Sequence, residues 1–98
     1  MRKIKTIALR TMEMGFLEDA EKILYNLMEA QIREMGLLHE ETLDTIVLLG
    51  HNLAASQKWE QLTQLYDLLA VLDQPGLRKY PKLREAISSL YGLQKKIS

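Results

Sequence analysis

Residues 35–43 read MGLLHEETL, and they separate two long stretches of helical sequence. Before them, apolar side chains recur at three- and four-residue spacing from Leu17 to Met35, which predicts an amphipathic helix. Gly36 is a natural helix end because glycine tolerates the left-handed conformation found there. Glu40 and Glu41 stand where a helix N-terminus favours negative charge, so a second helix is predicted to begin beside them.

Helical spacing continues on both sides of this stretch and divides the chain into five predicted helices. The breaks between them lie at Met14–Phe16, Gly36–His39, Gln57–Lys58 and Asp73–Tyr80, and Pro81 suits the first turn of the last helix. Because the first and third breaks are so short, the helices that flank each of them must run antiparallel. No segment alternates with a period of two over a useful length, so the sequence predicts an all-α fold.

A self-match at an offset of 42 residues supports this order of helices. A bulky residue precedes a small one at Ile7-Ala8, Leu49-Gly50 and Tyr91-Gly92, and Leu17-Glu18-Asp19-Ala20 aligns with Trp59-Glu60-Gln61-Leu62. A fixed period of about 20–50 residues is typical of stacked arrays, in which each unit buries its apolar face against its neighbours. The small residue of each pair is predicted to allow a close approach between helices.

Length and composition are those of one globular domain. The chain has 98 residues, of which 47% are hydrophobic and 27% charged, and it has no apolar run long enough to cross a membrane. The absence of cysteine excludes disulfides and thiolate metal sites and favours a cytoplasmic protein. We expect a single domain over residues 1–98, with one repeat over 1–36, a second over 40–74 and a final capping helix over 81–97.

The net charge of zero hides an uneven distribution of charge. Residues 1–11 carry +4, residues 12–44 carry −7 and residues 45–98 carry +3. Two interpretations stay open: these are solvated helix faces, or they steer a charged partner or another copy of the chain. A nucleic-acid partner is not predicted, because the basic excess with interleaved aromatic residues that such binding needs is missing.

Residues suited to catalysis or metal binding are few. His39 and His51 are the only histidines, and their spacing matches no metal motif. His39 is expected either to cap the helix that follows it or to pack into the turn. Glu40 and Glu41 point in different directions on a helix, and no nucleophile elbow or phosphate-binding loop occurs. The sequence therefore predicts a protein that is not an enzyme, with no cofactor and no metal.

These elements together resemble the tetratricopeptide repeat, in the 42-residue form found in kinesin light chains. That form joins its repeats through a segment reading roughly Leu-Gly-x-x-His-x-x-Thr-Leu, which residues 35–43 match closely. The chain departs from the pattern at Leu62, where a small residue is usual, and at Val47 and Leu48, where kinesin light chains have paired asparagines. The resemblance implies a right-handed superhelix of antiparallel helical hairpins, an α-solenoid with five helices and about two and a half repeats.

The resemblance also implies a function, namely a non-enzymatic protein–protein interaction module. A peptide or a partner helix would lie in a concave groove lined by the first, third and last helices. The residues expected to line it are Arg2, Lys5, Leu9 and Met12, then Asp44, Val47, Leu48, His51 and Ala55, and finally Ala86, Ser89, Leu93 and Lys96. Arg2 and Lys5 would favour an apolar peptide that carries an acid near the first helix.

An alternative function is a structural subunit or self-assembling scaffold. The first helix is expected to expose Ile4, Ile7 and Leu9, because no helix precedes it in the sequence to pack against them. Terminal repeats normally need a polar outer side, so this apolar end would make a homodimer or join a longer repeat array.

Overall fold

The computed structural model describes residues 2–72 and 80–95, which form five α-helices and no strand. The all-α prediction is therefore confirmed. The helices are α1 (Arg2–Glu13), α2 (Leu17–Met35), α3 (Glu40–Ala55), α4 (Trp59–Ala70) and α5 (Pro81–Lys95). None of them combines the length and the apolar character needed to span a lipid bilayer. The predicted link at Asp73–Tyr80 lies, except for Tyr80, outside the described residues.

The turns between α1 and α2 and between α3 and α4 have the same backbone geometry. Gly15 and Gln57, 42 residues apart, both have positive φ, at 87° and 61°. The residues that follow, Phe16 and Lys58, have φ/ψ of −84°/68° and −91°/69°. Each of these two donates its N–H to the carbonyl five residues earlier, at 3.1 and 2.8 Å. The sequence offset of 42 is thus repeated in the backbone of both turns.

The link between α2 and α3 provides the C-cap of α2 and the N-cap of α3. Gly36 has a φ of 91°, and its N–H donates to the carbonyls of Gln31 and Ile32. The Nδ1 atom of His39 accepts a hydrogen bond from the N–H of Glu41 at 3.1 Å. The prediction that His39 caps the following helix is confirmed.

Helix packing gives a flat molecule with a continuous core. Each helix packs against the next one in the chain, and α3 also packs against α5. The Cα atoms span 40 × 35 × 16 Å. A thickness of 16 Å fits two layers of helices, because Cα atoms lie about 2.3 Å from a helix axis and packed axes are about 8–10 Å apart. The central α3 contributes Leu43, Ile46, Leu49 and Leu53 to the core, and α5 contributes the same number of buried residues.

The close approach predicted at the small residues holds for the second bulky-small pair and fails for the third. Gly50 is buried, and a Cβ atom there would collide with the side chain of Leu90 from α5. Gly92 is exposed, and a Cβ atom there would meet nothing within 4 Å. The predicted close approach at Gly92 is therefore wrong.

The cause is a shift of one residue in the register of α5. This helix begins at Pro81, 41 residues after α3 begins at Glu40. With this offset, the buried positions 42, 45, 49 and 52 of α3 correspond to Leu83, Ala86, Leu90 and Leu93, which are all buried as well. The structural counterpart of Leu49 is thus Leu90 rather than the exposed Tyr91.

Candidate peptide-binding groove

An open groove with a volume of about 300 Å³ crosses the first, third and last helices. Its lining residues are Lys5 and Leu9 of α1, Asp44, Val47, Leu48 and His51 of α3, and Lys82, Glu85, Ala86 and Ser89 of α5. Residues three, four and seven apart share one side of a helix, so each helix presents a single stripe to the groove. Three helices that are separate in the sequence therefore build one continuous surface.

Most of the residues predicted to line a groove lie in this one. Lys5, Leu9, Asp44, Val47, Leu48 and His51 line it, as do Ala86 and Ser89. Ala55 is exposed and does not line it, while Met12 is half-buried and packs against the core. The side chain of Arg2 and the whole of Lys96 lie outside the described residues.

The predicted position of Leu93 on the groove surface is wrong. Its side chain is 8% exposed and belongs to the core, where it approaches Gly50. An offset of 42 aligns Leu93 with the groove residue His51, whereas the observed offset of 41 aligns it with the buried Asn52. The register shift of α5 therefore moves this side chain from the groove into the interior.

Lys82 and Glu85 were not predicted as groove residues, although both line it. With the offset of 41, Glu85 is the counterpart of Asp44, an acid that was predicted. Aligning the start of the last helix at Pro81 with the start of α3 at Glu40, instead of aligning the bulky-small pairs, would have found Glu85.

Charged side chains alternate in sign along one side of the groove. Lys5 Nζ lies 3.9 Å from Asp44 Oδ2, which joins α1 to α3. Lys82 Nζ lies 3.6 Å from Glu85 Oε2 and 3.7 Å from Glu40 Oε1, which joins α5 to α3. The negative charges of Asp44, Glu85 and Glu40, in that order, raise the pKa of Lys82. Exposed pairs of this kind hold each other weakly, so a ligand can exchange with either member.

Apolar side chains lie beside these charges. Leu9 is 38% exposed, and Val47 and Leu48 are half-buried with their inner atoms packed on the core. Such a surface can take one or two apolar side chains of a ligand while the charges around it fix the ligand's direction. Among residues 2–72 and 80–95, no three His, Asp or Glu side chains are grouped so that they could hold a metal ion.

Comparison with protein-family models, with curated proteins and with solved structures finds no match for this chain.

Proposed function

We propose that this chain is a non-enzymatic protein–protein interaction module that holds a peptide or helix of a partner in the groove across α1, α3 and α5. The observation that carries the proposal is the groove itself, where accessible apolar atoms of Leu9, Val47 and Leu48 lie beside paired charges. A surface of this composition gains free energy when a partner covers its apolar atoms, and its charges can select among partners.

We also infer that the hairpins stack in the right-handed superhelix of the tetratricopeptide type. The support is the similar backbone geometry of the two short turns, 42 residues apart, together with the contact of α3 with α5. In such an array one layer of helices lines the concave side, which is the layer that contains the groove helices.

The ligand class follows from the charges of the groove. Lys5 and Lys82 are each within 4 Å of an acid of α3, so the groove is not a uniformly basic surface. A ligand with an apolar side chain between an acid and a base would pair with both signs, its acid replacing Asp44 as the partner of Lys5. The proposed ligand therefore carries an acid near α1, as the sequence predicts, and also a basic residue near Glu85.

The test is a selection of peptides from a random display library on the purified 98-residue chain. Selected peptides are then measured by isothermal titration against Val47→Arg and Val71→Arg. Val47 lines the groove, whereas Val71 is exposed by 67% at the end of α4, outside the residues that line it. We expect Val47→Arg to weaken binding by about tenfold or more, and Val71→Arg to leave it within about twofold.

The thermal unfolding transition of both variants is measured as well, because Val47 is half-buried against the core and a loss of binding counts only when the fold is retained. Peptides that bind the Val47→Arg variant as tightly as the parent chain would contradict the groove proposal. A selection that yields no binding sequence would contradict it as well.

A further inference from the structure

The outer side of α1 is the counterpart of a buried surface on α3. Asn52 of α3 faces α2, because its Nδ2 donates a hydrogen bond to the carbonyl oxygen of Leu17 at 2.9 Å. Thr45 and Leu49 lie seven and three residues before Asn52 and so share its side of the helix. All three are 0% exposed.

The same three positions on α1, 42 residues earlier, are Lys3, Ile7 and Arg10. All three are exposed, and Ile7 shows 54% of its surface. With Thr6 they line a shallow depression of about 340 Å³. Ile4, 42% exposed, corresponds in the same way to Ile46, which is 0% exposed. We call the surface formed by Lys3, Ile4, Ile7 and Arg10 the α1 outer face.

The α1 outer face differs from its counterpart in charge. Lys3 and Arg10 take the places of the neutral Thr45 and Asn52. Asn52 contacts the first residue of α2, so Arg10 would lie beside the N-terminus of a helix bound in the same way. A cation is unfavourable at a helix N-terminus unless acids stand in the first turn, and Lys3 would lie toward the C-terminus, where a cation is favourable.

A second copy of this chain fits the α1 outer face poorly. A symmetric pairing of two α1 helices would bring Lys3 and Arg10 against the same positive charges. Outside α1 the large exposed apolar side chains of the described residues are Met14, Phe16, Leu68, Val71 and Tyr91. Met14 and Phe16 lie in the turn after α1, and Leu68 and Val71 span a single turn at the end of α4. Each of these pairs is too short to match a face from residue 4 to residue 10.

We propose that the α1 outer face binds an amphipathic helix of another protein, one with an apolar stripe and acidic residues in its first turn. The helix lies antiparallel to α1, in the way that α2 lies on α3. Its apolar side chains cover Ile4 and Ile7, and its first-turn acids pair with Arg10. This surface is separate from the groove, and the inference does not rest on the proposed function.

The probe for a test is a fluorescein-labelled synthetic peptide with the sequence of Leu17–Met35. It has the required chemistry, because it carries Glu18 and Asp19 in its first turn and the apolar residues that face α3. Its binding to the full chain is measured by fluorescence anisotropy. The matched pair of variants is Ile7→Glu on the outer face and Leu9→Glu on the groove side of the same helix, at 54% and 38% exposure.

The expected result is that Ile7→Glu weakens peptide binding by about tenfold or more, while Leu9→Glu leaves it within about twofold. Replacing Glu18 and Asp19 of the peptide by Gln and Asn should weaken binding several-fold and reduce its dependence on salt. Equal binding to the Ile7→Glu variant and the parent chain would overturn the inference, since the peptide would then be exchanging with α2 on α3.

Sedimentation velocity of the chain alone gives a second way to overturn the inference. A dimer that Ile7→Glu dissociates would assign the face to a second copy of the chain. If the parent chain and the Ile7→Glu variant are both monomers, and peptide binding needs Ile7, the result supports a helix of another protein as the partner. This test is independent of the groove proposal, because Leu9 and Val47 line the groove and Ile7 does not. Failure of the groove proposal would therefore not change the result expected for Ile7→Glu.

Discussion

Helices α1 and α3 carry the same pattern of residues and meet different surroundings. Ile46 and Leu49 of α3 are fully buried, whereas their counterparts Ile4 and Ile7 are 42% and 54% exposed. The difference does not come from the helices themselves, since both are amphipathic and both end in turns of the same geometry. It comes from α2, which packs on α3 and leaves the equivalent side of α1 open. Equivalent residues are therefore buried in the core on α3 and accessible to solvent on α1.

The largest expected effect separates the two equivalent apolar positions. Leu49→Ala should lower the free energy of unfolding by about 2–5 kcal/mol, because it removes a fully buried side chain and leaves a cavity. Ile7→Ala should change it by less than about 0.5 kcal/mol, since most of that side chain already contacts water. Urea denaturation followed by circular dichroism measures both. Similar losses in the two variants would mean that the α1 outer face is covered in solution.

Substitution by alanine at the two glycines of the bulky-small pairs, Gly50 and Gly92, should change the free energy of unfolding in opposite directions. Gly50→Ala would press a methyl group against the buried Leu90, which we expect to lower the free energy of unfolding by about 1–3 kcal/mol. Gly92→Ala meets open space and should raise it by about 0.5–1 kcal/mol, through the better helix propensity of alanine. Thermal denaturation of the two variants is the measurement. A stabilising Gly50→Ala would contradict the packing of α5 on α3.

Asn52 of α3 and Arg10 of α1 are polar residues at equivalent positions, and only Asn52 is buried. Asn52→Ala removes the hydrogen bond to the Leu17 carbonyl and should lower the free energy of unfolding by about 1–2 kcal/mol. Arg10→Ala, at the exposed counterpart, should stay within about 0.5 kcal/mol. Hydrogen exchange at the first turn of α2 adds a local readout, which should accelerate in Asn52→Ala alone. Equal acceleration in both variants would argue against the contact between α3 and the start of α2.

The two short turns permit a smaller and finer test. Gly15→Ala places a side chain at a φ of 87° and should lower the free energy of unfolding by about 1 kcal/mol. Gln57→Gly relieves the same strain at a φ of 61°, and we expect a gain of about 0.5 kcal/mol after the added entropy of the unfolded chain. Chemical denaturation checks both. A loss of stability in Gln57→Gly would show that the side chain of Gln57 contributes more than its backbone conformation costs.

The smallest effect concerns the turn between α3 and α4, where Lys58 forms an ion pair with Glu21 of α2. Lys58 Nζ donates a hydrogen bond to Glu21 Oε1 at 2.7 Å, and this bond raises the pKa of Lys58 above its ordinary value of 10.5. From neutral pH up to about pH 10.5 the pair therefore stabilises the fold fully, and the stabilisation is lost as the pH rises through the raised pKa of Lys58. In Lys58→Met, melting temperatures measured from pH 9 to 12 should fall less than those of the parent chain over the same range. The counterpart of Lys58 in the first turn is Phe16, so the first repeat has no equivalent pair at this position.

Much of the fold could be predicted from local sequence. The helix ends at Met35 and Ala55 and the starts at Leu17, Glu40 and Pro81 follow from glycine, proline, acidic residues and apolar spacing. These signals act within one or two turns of helix, and so they need no knowledge of distant residues. Two local signals disagree about the register of the last helix: the helix starts at Glu40 and Pro81 give an offset of 41, whereas the bulky-small pairs give 42. Only the packing of α5 on α3 decides for 41.

The candidate groove was predicted less completely than the helices. On α1 and α3 the lining residues Lys5, Leu9, Val47 and Leu48 were found, because the 42-residue offset holds between these two helices. On α5 the prediction found Ala86 and Ser89, but it also selected the buried Leu93 and missed Lys82 and Glu85. One residue turns a helix by about 100°, which is enough to exchange a groove position for a core position.

The sequence by itself determined the five helices, the two short turns and the apolar stripe of each helix. Those features depend on the conformational preferences of neighbouring residues and on helical periodicity. Only the tertiary structure decided which stripe is covered, which glycine is in contact and which charges meet across the groove. Burial and ion pairing are properties of residues brought together from different helices, and so Ile7 and Leu49 become different only when α2 is in place.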